Sequence, residues 1–273
     1  MVGMNPQPTG VVAPAKIRIA DDLRMKIERG DLAPGDPLPT LQEIRNDYDC
    51  SSTTARAAIT LLKEQGLITG GRGKPMTVRA PVPRVSRSSE RHQQEKDMVL
   101  ESESVRGSAG VAETDMGSKI QDLSFVTEYD QIKPSPGLAA DLGVDRGTAV
   151  LRRVYEMRDR KDGRSLSWSV SYIPVPLIES NPALLDPNNE PWPGGTQHQL
   201  STVGIEVMKV VDQVSAVMPT TAEAHDWRLD NGVPMLHVRR ISYDGDSRIV
   251  ELSDAHFPAD RTELSFTTLL KKW

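Results

Sequence analysis

The chain has 273 residues and a formal net charge of −5; 37% of its residues are hydrophobic, but only 4% are aromatic. That length suits two domains with largely aliphatic cores. One cysteine, Cys50, excludes an internal disulfide and a cysteine-cluster zinc site, and no apolar run approaches the roughly 18 residues of a membrane span.

In chain order, residues 1–14 lack the basic and apolar regions of a secretory signal, so they are expected to be disordered and the protein cytoplasmic. In "AKIRIADDLRMKIERG", Ile17, Ala20, Leu23 and Ile27 recur at helical spacing and Gly30 is a natural stop. "DLAPGDPLPT" is a turn. "TLQEIRNDYD" sets Leu41, Ile44 and Tyr48 on one face, with Thr40 as N-cap. "SSTTARAAITLLKEQG" sets Ala55, Ala58, Ile59 and Leu62 on one stripe, stopped by Gly66. "LITGGRGKPMTVRA" reads as two short strands around a glycine-rich tip. Helix, helix, helix and hairpin over residues 15–80 is the winged helix-turn-helix layout.

Residues 81–117 are polar, with few aliphatics, and read as a linker, helical in part near Glu90–Leu100. Residues 118–273 read as α+β. "TAVLRRVYEM" and "LSWSVSYI" pair as strands, and in the second Leu166, Trp168, Val170 and Tyr172 alternate with Ser167, Ser169 and Ser171. "PTTAEAHDWRLD" is a helix capped by Thr220 or Thr221. "PMLHVRRISYD", "RIVELSDAHF" and "ELSFTTLL" add further segments. Short connections favour an antiparallel sheet with helices on one side.

Overall acidity says little about nucleic acid, because charge is unevenly placed. Residues 1–80 hold 11 basic and 9 acidic side chains, and Arg45 to Arg79 hold 6 and 3. If the stripe of the third helix faces inward, Ser52, Thr53, Arg56, Ala57 and Thr60 face outward. That face is small except for one arginine, which suits a major groove: Arg56 reaches guanine or phosphate, and the hydroxyls of Ser51, Ser52, Thr53 and Thr54 suit phosphate. The competing reading is an ordinary amphipathic helix with a Ser/Thr cap. Arg45 in the preceding helix belongs to the same basic stretch. At the hairpin tip, Arg72-Gly73 stands where a phosphate-binding P-loop needs Lys-Ser/Thr, so a wing whose Arg72 and Lys74 touch the DNA backbone is simpler. A plain glycine turn is the alternative. The histidines His92, His198, His225, His237 and His256 are scattered without metal-ligand spacing. No metal, cofactor or catalytic constellation is expected, and the protein is not expected to be an enzyme.

The run "GDLAPGDPLPTLQEIRNDYDCSSTTARAAITLLKEQGLITGGRGKPMTV" resembles the DNA-binding domain of GntR-type bacterial repressors over nearly all of residues 16–79. "GTAVLRRVYEM", "SVSYIP", "GVPMLHVRRISYD" and "VELSDAHFPADR" are similar, in order, to the effector-binding UTRA domain of the HutC subfamily, which has a chorismate-lyase-like fold. The resemblance implies a homodimeric repressor reading an inverted repeat of double-stranded DNA, with a small-molecule effector in the C-terminal domain. It implies DNA contacts at or near Thr40, Gln42, Ser51, Ser52, Thr54, Arg56 and Gly73. Leu41, Gln42 and Ser52 depart from the acidic, Arg and Arg residues usual there, so the operator is not transferable from relatives.

For the effector, Arg153 matches the first arginine of an Arg-x-Arg pair that sugar-phosphate binders use, and Glu251 matches a family carboxylate. Tyr155 replaces the second arginine, and Ser169 stands where a glutamate would be. With Tyr172 of the serine-rich strand, these residues are the expected effector site, and they suit a less anionic, larger ligand. Arg153 and Glu251 pairing in the core is the alternative. The Trp192 loop, "NEPWPGGTQHQL", either closes over a ligand or packs at a dimer contact. Two other functions remain: a constitutive dimeric repressor, and a lyase-like enzyme with a DNA-binding head.

Overall fold

A computed structural model describes residues 13–71, 74–80, 82, 84–108, 123–161, 163–230 and 232–271. The chain divides into two compact units, with the main boundary between residues 81 and 82.

The first unit contains α1 (Ala15–Arg29), α2 (Leu41–Asp47), α3 (Ser52–Glu64) and the antiparallel hairpin β1 (Ile68–Gly71) and β2 (Lys74–Val78). Helix α1 ends at Gly30, whose φ of 83° is the left-handed conformation glycine adopts freely. Its Ile19, Ala20 and Leu23 pack with Ile44 of α2, with Ala55, Ala58, Ile59 and Leu62 of α3, and with Ile68 of β1. Ile17, expected on this stripe, is only half-buried; Ile19 takes its place. Each leucine buried this way contributes about 1.5–3 kcal/mol. The Pro-Gly turn widens the hairpin, since Leu38 donates to the Met76 carbonyl (2.8 Å) and Val78 to that of Asp36 (2.8 Å).

The second unit is built on a six-stranded antiparallel sheet of β4 (Leu123–Ile132), β5 (Val150–Asp159), β6 (Ser165–Pro174), β7 (Lys209–Val217), β8 (Met235–Tyr243) and β9 (Ile249–Pro258), in the order β4-β5-β6-β9-β8-β7. Register opposes Tyr155 to Ser169, Arg153 to Ser171, Ser171 to Ser253, and Arg240 to both Ser253 and Asp212. Because strand side chains alternate, these residues share one face. At one end of that face Leu151, Ile173, Ile178, Leu184 and Leu200 form a core, the last from α7 (Gly195–Ser201). On the opposite face α6 (Pro136–Leu142), capped by Ser135, brings Leu142 to Val150 and Leu252. The short α8 (Thr221–Asp226) begins with a capping box of Thr220 and Glu223, which makes Thr220 the cap.

The structure differs from the sequence reading in the stretch expected to be a linker. Here β3 (Val85–Ser88) pairs in parallel with β10 (Thr262–Ser265), followed by α4 (Arg91–Met98) and α5 (Glu103–Ser108). Helix α4 buries no residue fully and has no apolar stripe, so periodicity could not mark it as packed. Polar contacts hold it instead. His92 Nε2 meets Asp212 Oδ2 at 3.0 Å, and Lys96 Nζ donates to the Val207 carbonyl at 3.0 Å. Residues 1–12 and 109–117, expected to be disordered and linker, lie outside the described residues.

Candidate nucleic-acid interface and ligand cavity

Helix α3 divides its front-end hydroxyls between two roles. Ser51 is the N-cap: its Oγ accepts from the Thr54 amide (3.1 Å) and lies 2.9 Å from Thr54 Oγ1. The Ser52 and Thr53 hydroxyls are exposed and make no hydrogen bond among the described residues. Thr60 donates back to the Arg56 carbonyl at 3.0 Å. The Arg56 side chain is exposed, with no ion pair or hydrogen bond among the described residues, while Ala55, Ala58, Ile59 and Leu62 are buried beneath.

In α2, Thr40 and Glu43 form a reciprocal capping box. Gln42 donates to Asn46 Oδ1 (2.9 Å) and accepts from Arg45 (3.1 Å), giving an exposed polar row. The Tyr48 hydroxyl donates to Asp22 of α1 and accepts from Lys26 (3.1 Å), which fixes α2 against α1. In the hairpin, Lys63 Nζ donates to the Gly70 carbonyl at 2.9 Å. Gly70 (φ 106°) must be glycine, since a Cβ there would lie 2.2 Å from the Pro75 carbonyl oxygen. Arg72, Gly73 and the Lys74 side chain, expected at the wing tip, lie outside the described residues.

In the second unit, the polar face of the sheet opens into a cavity of about 340 Å³. Tyr155, Ser169, Ser171, Ser242, Glu251 and Ser253 of the sheet line it. Arg87, His92 and Glu95 come from β3 and α4, and Thr196 and Gln197 from α7. Arg240 reaches Asp212 with two bonds, Nε to Oδ1 (2.8 Å) and one to Oδ2 (3.1 Å). Against the opposing effect of burial, the hydrogen bonds from His92 and Arg240, with the charge of Arg240, hold the Asp212 carboxyl well below the ordinary range.

Of the expected effector residues, Tyr155, Ser169 and Glu251 line this cavity. Two others do not. Arg153 lies beneath the wall, 1% exposed, and donates to Glu251 Oε1 (2.7 Å), Ser171 Oγ (2.7 Å) and Gln199 Oε1 (2.5 Å). It forms the core pair that was the alternative reading. Tyr172 points to the opposite face, where it packs near Leu142, Val150 and Leu252. A period of two places residue 172 opposite residues 169 and 171, so including it with Ser169 conflicted with the alternation itself.

The Trp192 loop faces inward. Glu190 Oε1 accepts from Tyr155 (3.0 Å), Gln199 (2.9 Å) and Tyr129, and its Oε2 accepts from the Trp192 amide (2.8 Å). Burial pushes the Tyr129 phenol up to about 12 and Tyr155 well above its ordinary value, so both remain donors. The sequence reading missed Arg87, Glu95, Glu190, Asp212 and Arg240. Only Arg240 left a usable signal, because it shares a strand face with Ser242 in "VRRISYD".

Residues 16–78 match the model of the gntR family of bacterial regulatory proteins, and residues 124–263 match the UTRA domain, half of the chain on its own. The chain belongs to the GntR family and carries a UTRA domain. This GntR regulator is 24% identical to an HTH-type transcriptional regulator of Streptomyces coelicolor over 88% of this chain and 87% of that protein. It is 23% identical to the HTH-type transcriptional repressor PhnF of Mycolicibacterium smegmatis, over 86% and 85% respectively. A crystal structure described as a GntR-family transcriptional regulator superposes with a TM-score of 0.67 at 26% identity, covering 94% of this chain and 98% of that one. The winged helix-turn-helix followed by an antiparallel UTRA sheet is therefore the fold, and DNA-binding transcriptional regulation is the function. No helix among the described residues is long and apolar enough to cross a membrane.

Proposed function

We propose that the protein is a homodimeric, cytoplasmic repressor of the HutC type. It binds an inverted-repeat operator and releases it when a small molecule occupies the UTRA cavity. The observation that carries the reading is the exposed Arg56 beside the Ser52 and Thr53 hydroxyls, all without a partner among the described residues, on a helix whose other side is sealed into the core. Thr40, Gln42, Arg45, Ser51 and Thr54 complete the DNA-facing surface, with Arg72, Gly73 and Lys74 gripping the backbone from the wing. PhnF and NagR, repressors by name, support the negative sign of regulation. Control works by population shift: dimers with operator-compatible and incompatible spacing differ in ligand affinity, and the ligand biases their balance. The unit binds rather than turns over its ligand.

The test is selection of bound sequences from random oligonucleotides, then titration of the selected operator with a metabolite library. An inverted repeat should emerge, and a metabolite that raises Tm should weaken operator binding. Selection without a repeat overturns the dimeric reading. A second reading, a constitutive repressor, is favoured by the Arg153–Glu251 pair, which satisfies the family's ligand-binding charges internally. Operator affinity unchanged by every stabilising metabolite would establish it.

A further inference from the structure

One carboxylate on the cavity wall is left without a cationic partner. Glu251 is held by Arg153 and Ser171, and Asp212 by Arg240 and His92. Glu95 of α4 accepts one hydrogen bond, from the Gln197 amide to Oε1 at 3.0 Å. Among the described residues it forms no ion pair, and its Oε2 has no hydrogen-bond partner. The Oε1 contact has a structural purpose. Helix α7 starts at Gly194–Gly195 without a side-chain cap of its own, and Glu95 of the adjoining α4 supplies one. Gly195 is the close approach that allows this, since a Cβ there would lie 2.8 Å from Oε1. Oε2 is the half of the carboxylate that capping does not use.

We propose that Oε2 of Glu95 receives a hydrogen-bond donor of the effector, a hydroxyl or an ammonium group, so that the ligand is a donor-rich molecule rather than one recognised by its phosphate. This deepens the effector reading above and rests on it. The surroundings agree. The floor beside Glu95 offers the hydroxyls of Ser169, Ser242 and Ser253, groups that exchange hydrogen bonds with a polyhydroxylated or amino-bearing molecule. Arg240 faces the same space, but both its hydrogen-bonded groups go to Asp212, so it is not a free phosphate clamp. Burial pushes the Glu95 carboxyl up and nearby Glu251 adds to this, whereas the Gln197 amide, then Arg240 and Arg91, oppose it; a donor at Oε2 would relieve that desolvation. Because the same carboxylate caps α7, a ligand seated there engages α4 and α7 through one side chain.

The experiment uses the full-length protein and its selected operator. Ethanolamine, glucose, glucosamine and inorganic phosphate are titrated separately, with binding read by saturation-transfer NMR and operator release by gel shift. Wild type is compared with Glu95→Gln, which keeps a carbonyl oxygen for the Gln197 amide but loses the charge. Glucosamine should bind wild type and lose at least tenfold in affinity in Glu95→Gln. The ethanolamine and glucose arms tell whether the ammonium or the hydroxyls are read. Ser169→Leu, which fills the floor without touching Glu95, should abolish binding as well and serves if Glu95→Gln does not fold. Equal affinity in wild type and Glu95→Gln, binding by phosphate alone, or binding by none of the four overturns the assignment. Phosphate that binds and releases the operator would sink only the donor class and leave the effector reading standing. Glucosamine that binds through Glu95 without moving operator affinity would do the reverse.

Discussion

Arg153 and Glu251, the second of which lines the UTRA cavity, meet at 2.7 Å and are 1% and 7% exposed. Ser171 donates to the same Glu251 oxygen at 2.9 Å and accepts from Arg153, so the three side chains form a closed knot. A buried pair of this kind contributes little over an apolar substitute, but removing one partner strands the other charge. Arg153→Met should therefore cost about 3–5 kcal/mol of stability. Urea denaturation measures it. The double variant Arg153→Met/Glu251→Gln should recover part of the loss, and strictly additive losses would show that the two charges are not coupled.

The hydroxyls at the front of α3 separate into a cap and a pair that makes no hydrogen bond among the described residues. Ser51 accepts from the Thr54 amide, so Ser51→Ala should lose about 0.5–2 kcal/mol of stability. Ser52 bonds to nothing among the described residues, so Ser52→Ala should leave Tm unchanged and weaken operator binding. Arg56→Ala should lower specific affinity by about 1–3 kcal/mol, again with Tm unmoved. Paired melting curves and gel shifts separate the classes. An Arg56→Ala protein with full affinity and selectivity would remove Arg56 from the interface.

These differences explain how far the sequence could be read. The stripe of Ala55, Ala58, Ile59 and Leu62 was visible because one amphipathic helix carries its burial pattern in its own spacing. Serine alternation in β6 revealed a polar sheet face for the same reason. The helicity of α4 was legible near Glu90–Leu100, but its docking was not. It docks by His92 on Asp212 and Glu95 on Gln197, partners about a hundred residues away that no local period encodes. Glu190 was hidden by its loop, where composition announces a turn but not which side chain the turn delivers. Arg153 was found, but its role was not, because a matched motif position does not reveal that Gln199 and Ser171 will satisfy it.

On the opposite face of the sheet, His256 stacks on His237 at 4.7 Å between centroids and lies 5.6 Å from Trp168 and 6.4 Å from Trp227. Its Nδ1 is buried without a partner among the described residues. Burial, then the neighbouring His237, push its pKa down, against the opposing pull of Asp254 and Glu223. Burial and then Arg106 lower His198 as well. The unfolded chain then takes up protons near the ordinary imidazole value of about 6.5 while the folded chain resists. Stability from these groups is complete above that pH and declines as pH falls through it. Urea unfolding at pH 7.5, 6.5 and 5.5 should show the decline, with a smaller slope in His256→Phe. The same slope in that variant would relieve His256 of the effect.

The wing depends on a residue that does not itself reach its tip. Lys63, in the last turn of α3, donates to the Gly70 carbonyl at 2.9 Å and ties the first strand of the hairpin to that helix. Gly71 is close by, since a Cβ there would meet Lys63 Nζ at 3.4 Å. The side chain is half-buried and carries no ion pair among the described residues, so the contact is a single charge-assisted hydrogen bond to a carbonyl. Lys63→Met keeps the aliphatic stem and removes that bond. Stability should fall by only about 1 kcal/mol, typical of one hydrogen bond. If the wing grips the DNA backbone as proposed, operator affinity should fall more than that loss alone explains. The salt dependence of binding discriminates. A tip that has lost its phosphate contacts lowers the slope of log affinity against log salt by about one per contact. An unchanged slope with lower affinity would mean that Lys63 acts through folding alone.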